Sequence, residues 1–505
     1  MNETAAKPAG DDNGNRCAFA VIAAFALARL ALAATLGLGF DESYTVVISR
    51  RLDLSYFDHP PLHQWIAHFT ALALGEGAAT RLPFIALFAA TGWLMFALTR
   101  RLFDPRAGLI TLFALNVSPF FFASPGGWVL PDGPLLLALA GGALALAALF
   151  FDQPSRRAVW GLWLLAGVWL GLAGLSKYSA ALIALGVVAF IALSPRQRHW
   201  FRHPAPYLAA LLAAAIVTPV FVWNEQHFWV SFAFQSERGS IEGGWRPVQV
   251  GAQILGEIAL LGPWIFVPLV RSLFAGARAA PGDEKRLFLI CLALPAIVLF
   301  SLTPLWGARG LPHWPMPGWF FVFPLLGAWV VERAARYNFR RRAIVWAGLL
   351  AVVVVAVVSQ AATGWATRLV PLPRGAVDPT LEMLDWSALR AAPLLDKPAY
   401  VIAAKWVEAG KIGLALGPGT PVFVFSYDPR GFALLDDSAR FVGQDGVIVV
   451  AQQRLDRTLA ELGPYFARLD PPQVFVLRRA GRDEISLALI PAHGLTRAFP
   501  VPYRR

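Results

Sequence analysis

Apolar blocks of roughly 20 residues recur along this chain, each long enough to carry an α-helix across about 30 Å of hydrocarbon. Bounded by charge or by Pro and Gly, they fall near 18–40, 82–99, 107–123, 133–151, 158–175, 178–194, 205–223, 248–274, 287–304, 317–332 and 343–362. Backbone inside lipid must satisfy its own hydrogen bonds, so blocks of this kind are helices. The spacing therefore predicts a polytopic α-helical membrane protein with about 11 transmembrane helices. With 57% of residues hydrophobic and only 15% charged, a string of water-soluble domains would lack polar surface.

The formal charge of +12 is distributed as membrane topology requires, which reads it as a bilayer signal rather than a nucleic-acid one. With a cytoplasmic N-terminus, inner segments hold Lys7, Arg16, Arg100, Arg101, Arg106, Arg156, Arg157, Arg196, Arg198, Arg202, Arg271, Arg278, Lys285, Arg286, Arg333, Arg336, Arg340, Arg341 and Arg342. Outer loops hold Arg50, Arg51, Arg81, Lys177, Arg238, Arg246 and Arg309. An odd number of spans then puts everything after about residue 363 outside. Three regions follow: a cytoplasmic tail 1–17, disordered over 1–15; a transmembrane domain 18–362 with a first outer loop 41–81; and an outer domain 363–505. Ala31-Leu32-Ala33 has the look of a signal-peptidase site, but the block is long and Arg29 interrupts it, so the first span is expected to stay. Cys17 and Cys291, far apart and at apolar blocks, give neither a disulfide framework nor a metal knuckle.

Past Thr363 charges return, and β-prone runs (400–403, 421–426, 447–451, 473–477) alternate with helix-like stretches such as 380–390 and 453–466. This predicts a small soluble α/β domain with a largely parallel sheet and 484–490 as an antiparallel edge. Its Gly417-Pro418-Gly419 is a turn, not a phosphate-binding loop.

Polar residues at membrane ends mark cavities and substrate paths, and here nearly all lie on the outer side. The first span runs into Asp41-Glu42, followed by Tyr56-Phe57-Asp58-His59-Pro60-Pro61-Leu62-His63. Later spans open or end at Asp132-Gly133-Pro134, Ser176-Lys177-Tyr178, Asn224-Glu225-Gln226-His227 and His313-Trp314-Pro315.

This ordered set resembles the GT-C class of polyprenyl-phosphate-sugar-dependent glycosyltransferases, specifically the bacterial relatives of protein O-mannosyltransferases and lipid A aminoarabinose transferases (families 39 and 83). The resemblance covers nearly the whole chain and is most specific at the acidic pair and the aromatic-Asp-His-Pro-Pro block. Pro131, where relatives often carry Thr, and Thr45, where an aromatic is common, depart from the pattern. It implies transfer of a sugar from a polyprenyl-phosphate carrier to an envelope acceptor on the periplasmic face of a bacterial inner membrane. Lipid A, lipopolysaccharide or another glycan is the first expected acceptor and a protein hydroxyl the second.

By the same resemblance Asp41 is the general base, with Glu42 and Asp132 as further catalytic acids. An attacking hydroxyl must lose its proton, and a carboxylate within reach can contribute about 10² to 10⁴ in rate. The leaving phosphate needs fixed cations, for which Lys177, His59, Arg246 and Arg309 are the candidates. Asp58, Tyr178, Asn224, His227, His313 and Trp314 are candidate substrate contacts. No cofactor is certain; a divalent ion, if held, would use Asp41, Asp132 and His59. The chain has 19 Trp, and Trp223, Trp229, Trp245, Trp306, Trp314 and Trp319 at span ends read as an interfacial belt, with Trp314 also placed to stack on sugar. A transporter of lipid-linked sugars is the rival of another class; it would put ionisable groups at mid-membrane, where only Arg29 and Glu257 lie. A scaffold leaves the outer acids unexplained.

Overall fold

The computed structural model describes residues 10–239, 244–308, 310–373 and 376–503. All eleven expected segments fall on helices, in three forms. Seven single helices are long and apolar enough to cross a membrane: Asp12–Thr35, Ala78–Leu102, Asp132–Phe151, Arg156–Ser176, Pro204–Gln226, Glu284–Trp306 and Phe339–Thr363. Two segments are pairs bent at a proline, Pro105–Asn116 with Pro119–Gly127 at 80° and Pro247–Leu261 with Pro263–Ala279 at 107°. Ala180–Leu193 and Met316–Glu332 are apolar but shorter. The first helix starts at Gly10, inside the stretch expected to be a disordered leader; residues 1–9 lie outside the described residues.

Both charges inside spans have built partners. Pro125 has no N–H to offer the carbonyl of Phe121 one turn back. Arg29 supplies donors there instead, Nε to the Phe122 carbonyl at 2.9 Å and Nη2 to that of Phe121 at 3.4 Å, with its guanidinium 4.6 Å from the centre of the Phe88 ring. Glu257 accepts from Trp319 Nε1 at 3.0 Å and Gln253 Nε2 at 3.2 Å. Trp319 and Trp223 are thus not belt residues: both are buried, while Trp229, Trp245 and Trp306 are exposed.

The chain clusters into two compact units. The first comprises Met1–Ala31, Phe84–Trp223 and Phe232–Val352, and holds most of the helical bundle. Small residues let its helices approach closely, as membrane packing favours. A Cβ on Gly167 would lie 2.5 Å from the Ala209 carbonyl oxygen, and Gly186 has no room for one against the Cys291 carbonyl.

The second unit comprises Leu32–Pro83, Asn224–Ser231 and Val353–Arg505, so the first loop clusters with the C-terminal domain. That domain is built on a six-stranded sheet of β1 (Val401–Ala403), β2 (Val422–Val424), β3 (Gly446–Ala451), β4 (Phe466–Leu469), β5 (Gln473–Arg479) and β6 (Arg482–Leu495). Its order is β2-β1-β3-β6-β4, with β5 also on β6. Strands β2, β1 and β3 are parallel; β6 is antiparallel to β3, β4 and β5. Alternate residues feed two cores. Val401, Ala403, Val447 and Val449 face the helices Phe40–Ser49 and Trp406–Leu416, whereas Tyr400, Ile402, Ile448 and Val450 face Phe441, Leu462 and Phe499. Burial on both faces is what a parallel sheet requires.

Three expectations about this domain need correction. The sheet is mixed rather than largely parallel, with three of its five pairings antiparallel. The run 484–490 is not an edge: β6 lies inside the sheet, with β3 on one side and β4 and β5 on the other. The stretch 380–390 is not one helix but two 3₁₀ turns, Pro379–Met383 and Ser387–Ala391. Between them the Asp385 carboxylate takes the Ser387 N–H at 2.9 Å, a local bond that competes with helix propagation.

Candidate active site

The helix Phe40–Ser49 opens on an extended Gly39, and its first turn carries Asp41 and Glu42, where the helix dipole favours negative charge. The two carboxylates face different surroundings because neighbours on a helix diverge by about 100°. Glu42 is 2% exposed. Its Oε2 accepts from the Gly39 N–H at 2.8 Å and from Arg81 Nη2 at 2.5 Å, and its Oε1 from Arg81 Nε at 2.7 Å. Arg81 also donates to the carbonyls of Leu36 at 2.8 Å and Gly37 at 2.9 Å, covering acceptors just past the first helix. This buried pair fixes where the next helix begins. Asp41 is left exposed on the same turn.

Asp58 is buried and held by the second unit's own side chains. Tyr44 Oη donates to Oδ1 at 3.2 Å, and Arg430 Nη1 lies 3.5 Å from Oδ2. The Gly431 N–H donates to Tyr44 Oη at 3.1 Å, and the Arg430 guanidinium stacks 3.7 Å from the centre of the Trp406 ring. His59 and His63 meet edge to face with ring centres 5.7 Å apart. Asn224 is buried, and its carbonyl accepts the N–H groups of His227 at 3.1 Å and Trp229 at 2.7 Å. A groove of about 820 Å³ also opens within this unit, lined by Leu36, His68, Leu72, Trp386, Arg390 and Lys411.

In the first unit Asp132, the first residue of helix Asp132–Phe151, meets Lys177, which ends helix Arg156–Ser176, with Nζ to Oδ1 at 2.8 Å. Their side chains are 7% and 12% exposed, a shielded pair at the ends of two adjacent helices. His313 lies in the field of Lys177, Asp132 and Arg238; burial first, then Lys177, pushes its imidazole down to about 4, so the ring is neutral at pH 7. Trp314 has the Arg238 guanidinium 5.3 Å from its ring centre and Phe300 edge-on at 5.6 Å. Tyr178 packs on Phe232 at 5.2 Å. Arg246 is exposed at the start of helix Pro247–Leu261; Arg309 lies outside the described residues.

Residues 58–223 match the family model described as dolichyl-phosphate-mannose-protein mannosyltransferase. A lipid A galacturonosyltransferase, RgtD from Rhizobium johnstonii, is 24% identical over 304 residues, covering 58% of this chain and 60% of that relative. ArnT from Cupriavidus metallidurans superposes in its apo state with a TM-score of 0.65 at 16% identity, covering 93% of this chain and 97% of that one. Its undecaprenyl-phosphate-bound form gives 0.61 at 19% identity with the same coverage. The chain has the GT-C fold. In this GT-C chain the span-end motifs divide between the units: Asp41, Glu42, Asp58, His59, Asn224 and His227 in the second, Asp132, Lys177, Tyr178, Arg246, His313 and Trp314 in the first.

Sequence reasoning missed Arg81, Lys411, Glu382 and Arg430 in the second unit and Arg238 in the first. A lone lysine within Trp406-Val-Glu-Ala-Gly-Lys-Ile-Gly-Leu was a usable signal, since a cation among apolar and glycine residues needs a buried partner. Among the described residues no three His, Cys, Asp or Glu side chains gather to hold a metal ion.

Proposed function

We propose that this chain is a membrane glycosyltransferase that moves a sugar from a polyprenyl-phosphate carrier to an envelope acceptor on the periplasmic face of a bacterial inner membrane. Lipid A or a related glycan is the acceptor class favoured by the likeness to RgtD. The observation that carries the reading is that one helical turn carries two acids in different settings, Glu42 buried on Arg81 and Asp41 exposed at the surface beside it. Likeness of fold to a protein solved with undecaprenyl phosphate supports the donor class.

In this mechanism the acceptor hydroxyl attacks the anomeric carbon and passes its proton to the Asp41 carboxylate. The bond from that carbon to the phosphate oxygen breaks, and the polyprenyl phosphate leaves with the added negative charge. In the first unit Lys177, held by Asp132 in a shielded pair, is a preorganised cation of the kind a leaving phosphate needs. His313, neutral beside that pair, is a further hydrogen-bonding group of the first unit. Asp58 acts from behind, holding Tyr44 on the Asp41 helix. The groove of about 820 Å³ is of the size that holds an amphiphile's head.

The test is reconstitution of the purified protein with labelled polyprenyl-phosphate sugars and lipid A. Labelled lipid A is the expected product. Label that crosses liposomes without any transfer would favour the transporter instead, and label on protein hydroxyls would move the acceptor class.

A further inference from the structure

The C-terminal domain supplies the surface on which the Asp41 helix lies. Helix Trp406–Leu416 packs on helix Phe40–Ser49 through two glycines nearly one turn apart. A Cβ on Gly410 would sit 2.8 Å from the Tyr44 backbone nitrogen and 3.1 Å from its Cα; one on Gly413 would sit 3.0 Å and 3.1 Å from the two Val47 methyls. Between them stands Lys411, 3% exposed. Its Nζ donates to the Leu38 carbonyl, two residues before the Asp41 helix starts, and to the Leu384 carbonyl at 3.0 Å. Gly37 is pressed on the same segment, since a Cβ there would lie 2.5 Å from the Met383 carbonyl oxygen. One ammonium therefore ties the residues leading into the helix to the segment carrying Glu382.

We propose that Lys411 is a positioning residue for Asp41, setting both the place of its helix and the charge balance of the carboxylates around it. This rests on the reading of Asp41 as general base. The charged groups facing Lys411 are Glu42, Glu382, Asp385 and Arg81, and Phe40 places its ring 5.7 Å away. Glu382 in turn faces Asp41 and Glu42, and Asp41 faces Arg430 as well. Burial pushes the ammonium down to about 8, with Glu42 and Glu382 opposing, so at pH 7 it keeps its proton and its grip on both carbonyls. Burial, with Asp41 next, pushes Glu382 up to about 7, while Lys411 opposes. Removing the cation strengthens proton binding by Glu382, and protonation of Glu382 changes the charge that Asp41 faces. A base works deprotonated, so the acid limb of the rate must then shift.

The experiment compares the full-length wild type, Lys411→Met and Lys411→Arg in one lipid-reconstituted preparation. It reads kcat and donor KM across pH, and amide exchange over residues 38–45. For Lys411→Met we expect kcat to fall by about tenfold or more with donor KM within about twofold. Its acid limb shifts, exchange over 38–45 quickens, and Lys411→Arg restores both. An unmoved acid limb together with unchanged exchange overturns the proposal. So does a loss of kcat with an unmoved limb that arginine does not rescue, because that pattern is packing alone. An Asp41→Asn variant as active as wild type would sink the base reading instead, and the exchange data would still decide whether Lys411 holds the segment.

Discussion

At the scale of single residues, the buried charges of Glu42, Arg81 and Arg29 meet an opposite charge or backbone carbonyls. Arg81 answers Glu42 and the Leu36 and Gly37 carbonyls, so Arg81→Leu takes from a buried carboxylate its ion-pair partner. Loss of one partner of a buried pair costs about 3–5 kcal/mol, and thermal unfolding in detergent should show a clear drop. Replacing Glu42 and Arg81 together should cost less than Arg81→Leu alone; a double variant that is worse would contradict the pairing. Arg29 is the second case. Its presence in an apolar block was plain in the sequence, but its reason was not, since Pro125 lies 96 positions away and only the fold brings the Phe121 carbonyl to it. Arg29→Leu should lower the unfolding temperature, and Arg29→Lys, with one donor centre in place of a planar fork, should recover only part.

At the scale of elements, legibility followed the strength of the local signal. A run of about 20 apolar residues can only be a helix in lipid, so every expected span is found on helix. The bends at 80° and 107° and the two short helices were not legible, because they depend on what packs beside each proline. In the C-terminal domain β6 is internal because β4 and β5 both return to it, a pairing set by contacts far apart in sequence. Glu382 and Lys411 stayed hidden for the same reason, whereas the pair Asp41-Glu42, Asp132 and Lys177 stood out as charges at span ends.

His493 on β6 bridges Asp445 at 2.8 Å and Asp470 at 3.0 Å, and these contacts raise its proton affinity above the ordinary value while lowering that of Asp445. The histidine's contribution to stability is present below its unfolded pKa of about 6.5 and is lost as pH rises through the higher folded value. The Asp445 contribution is lost only as pH falls through its lowered value. Amide exchange at β4 and β6 should therefore be slowest near pH 5 to 6 after correction for intrinsic rate, and His493→Gln should flatten the rise above that window.

At the scale of the whole molecule, the first loop and the C-terminal domain form one compact unit, and Tyr44, Val47 and Ile48 belong to the same core as Val401, Val447 and Leu487. Deleting residues 364–505 should abolish all transfer and leave the loop 41–81 open to protease, rather than change acceptor choice alone. A truncated chain that still transferred sugar would contradict this. The central proposal is that Asp41, exposed on the first turn of its helix, is the base of a lipid-linked sugar transfer. It is tested most directly by comparing wild type with Asp41→Asn for transfer of labelled sugar from polyprenyl phosphate, with donor binding measured on the same samples. The account expects a loss of at least about 100-fold in kcat with donor binding retained; a variant that transfers at the wild-type rate would contradict it.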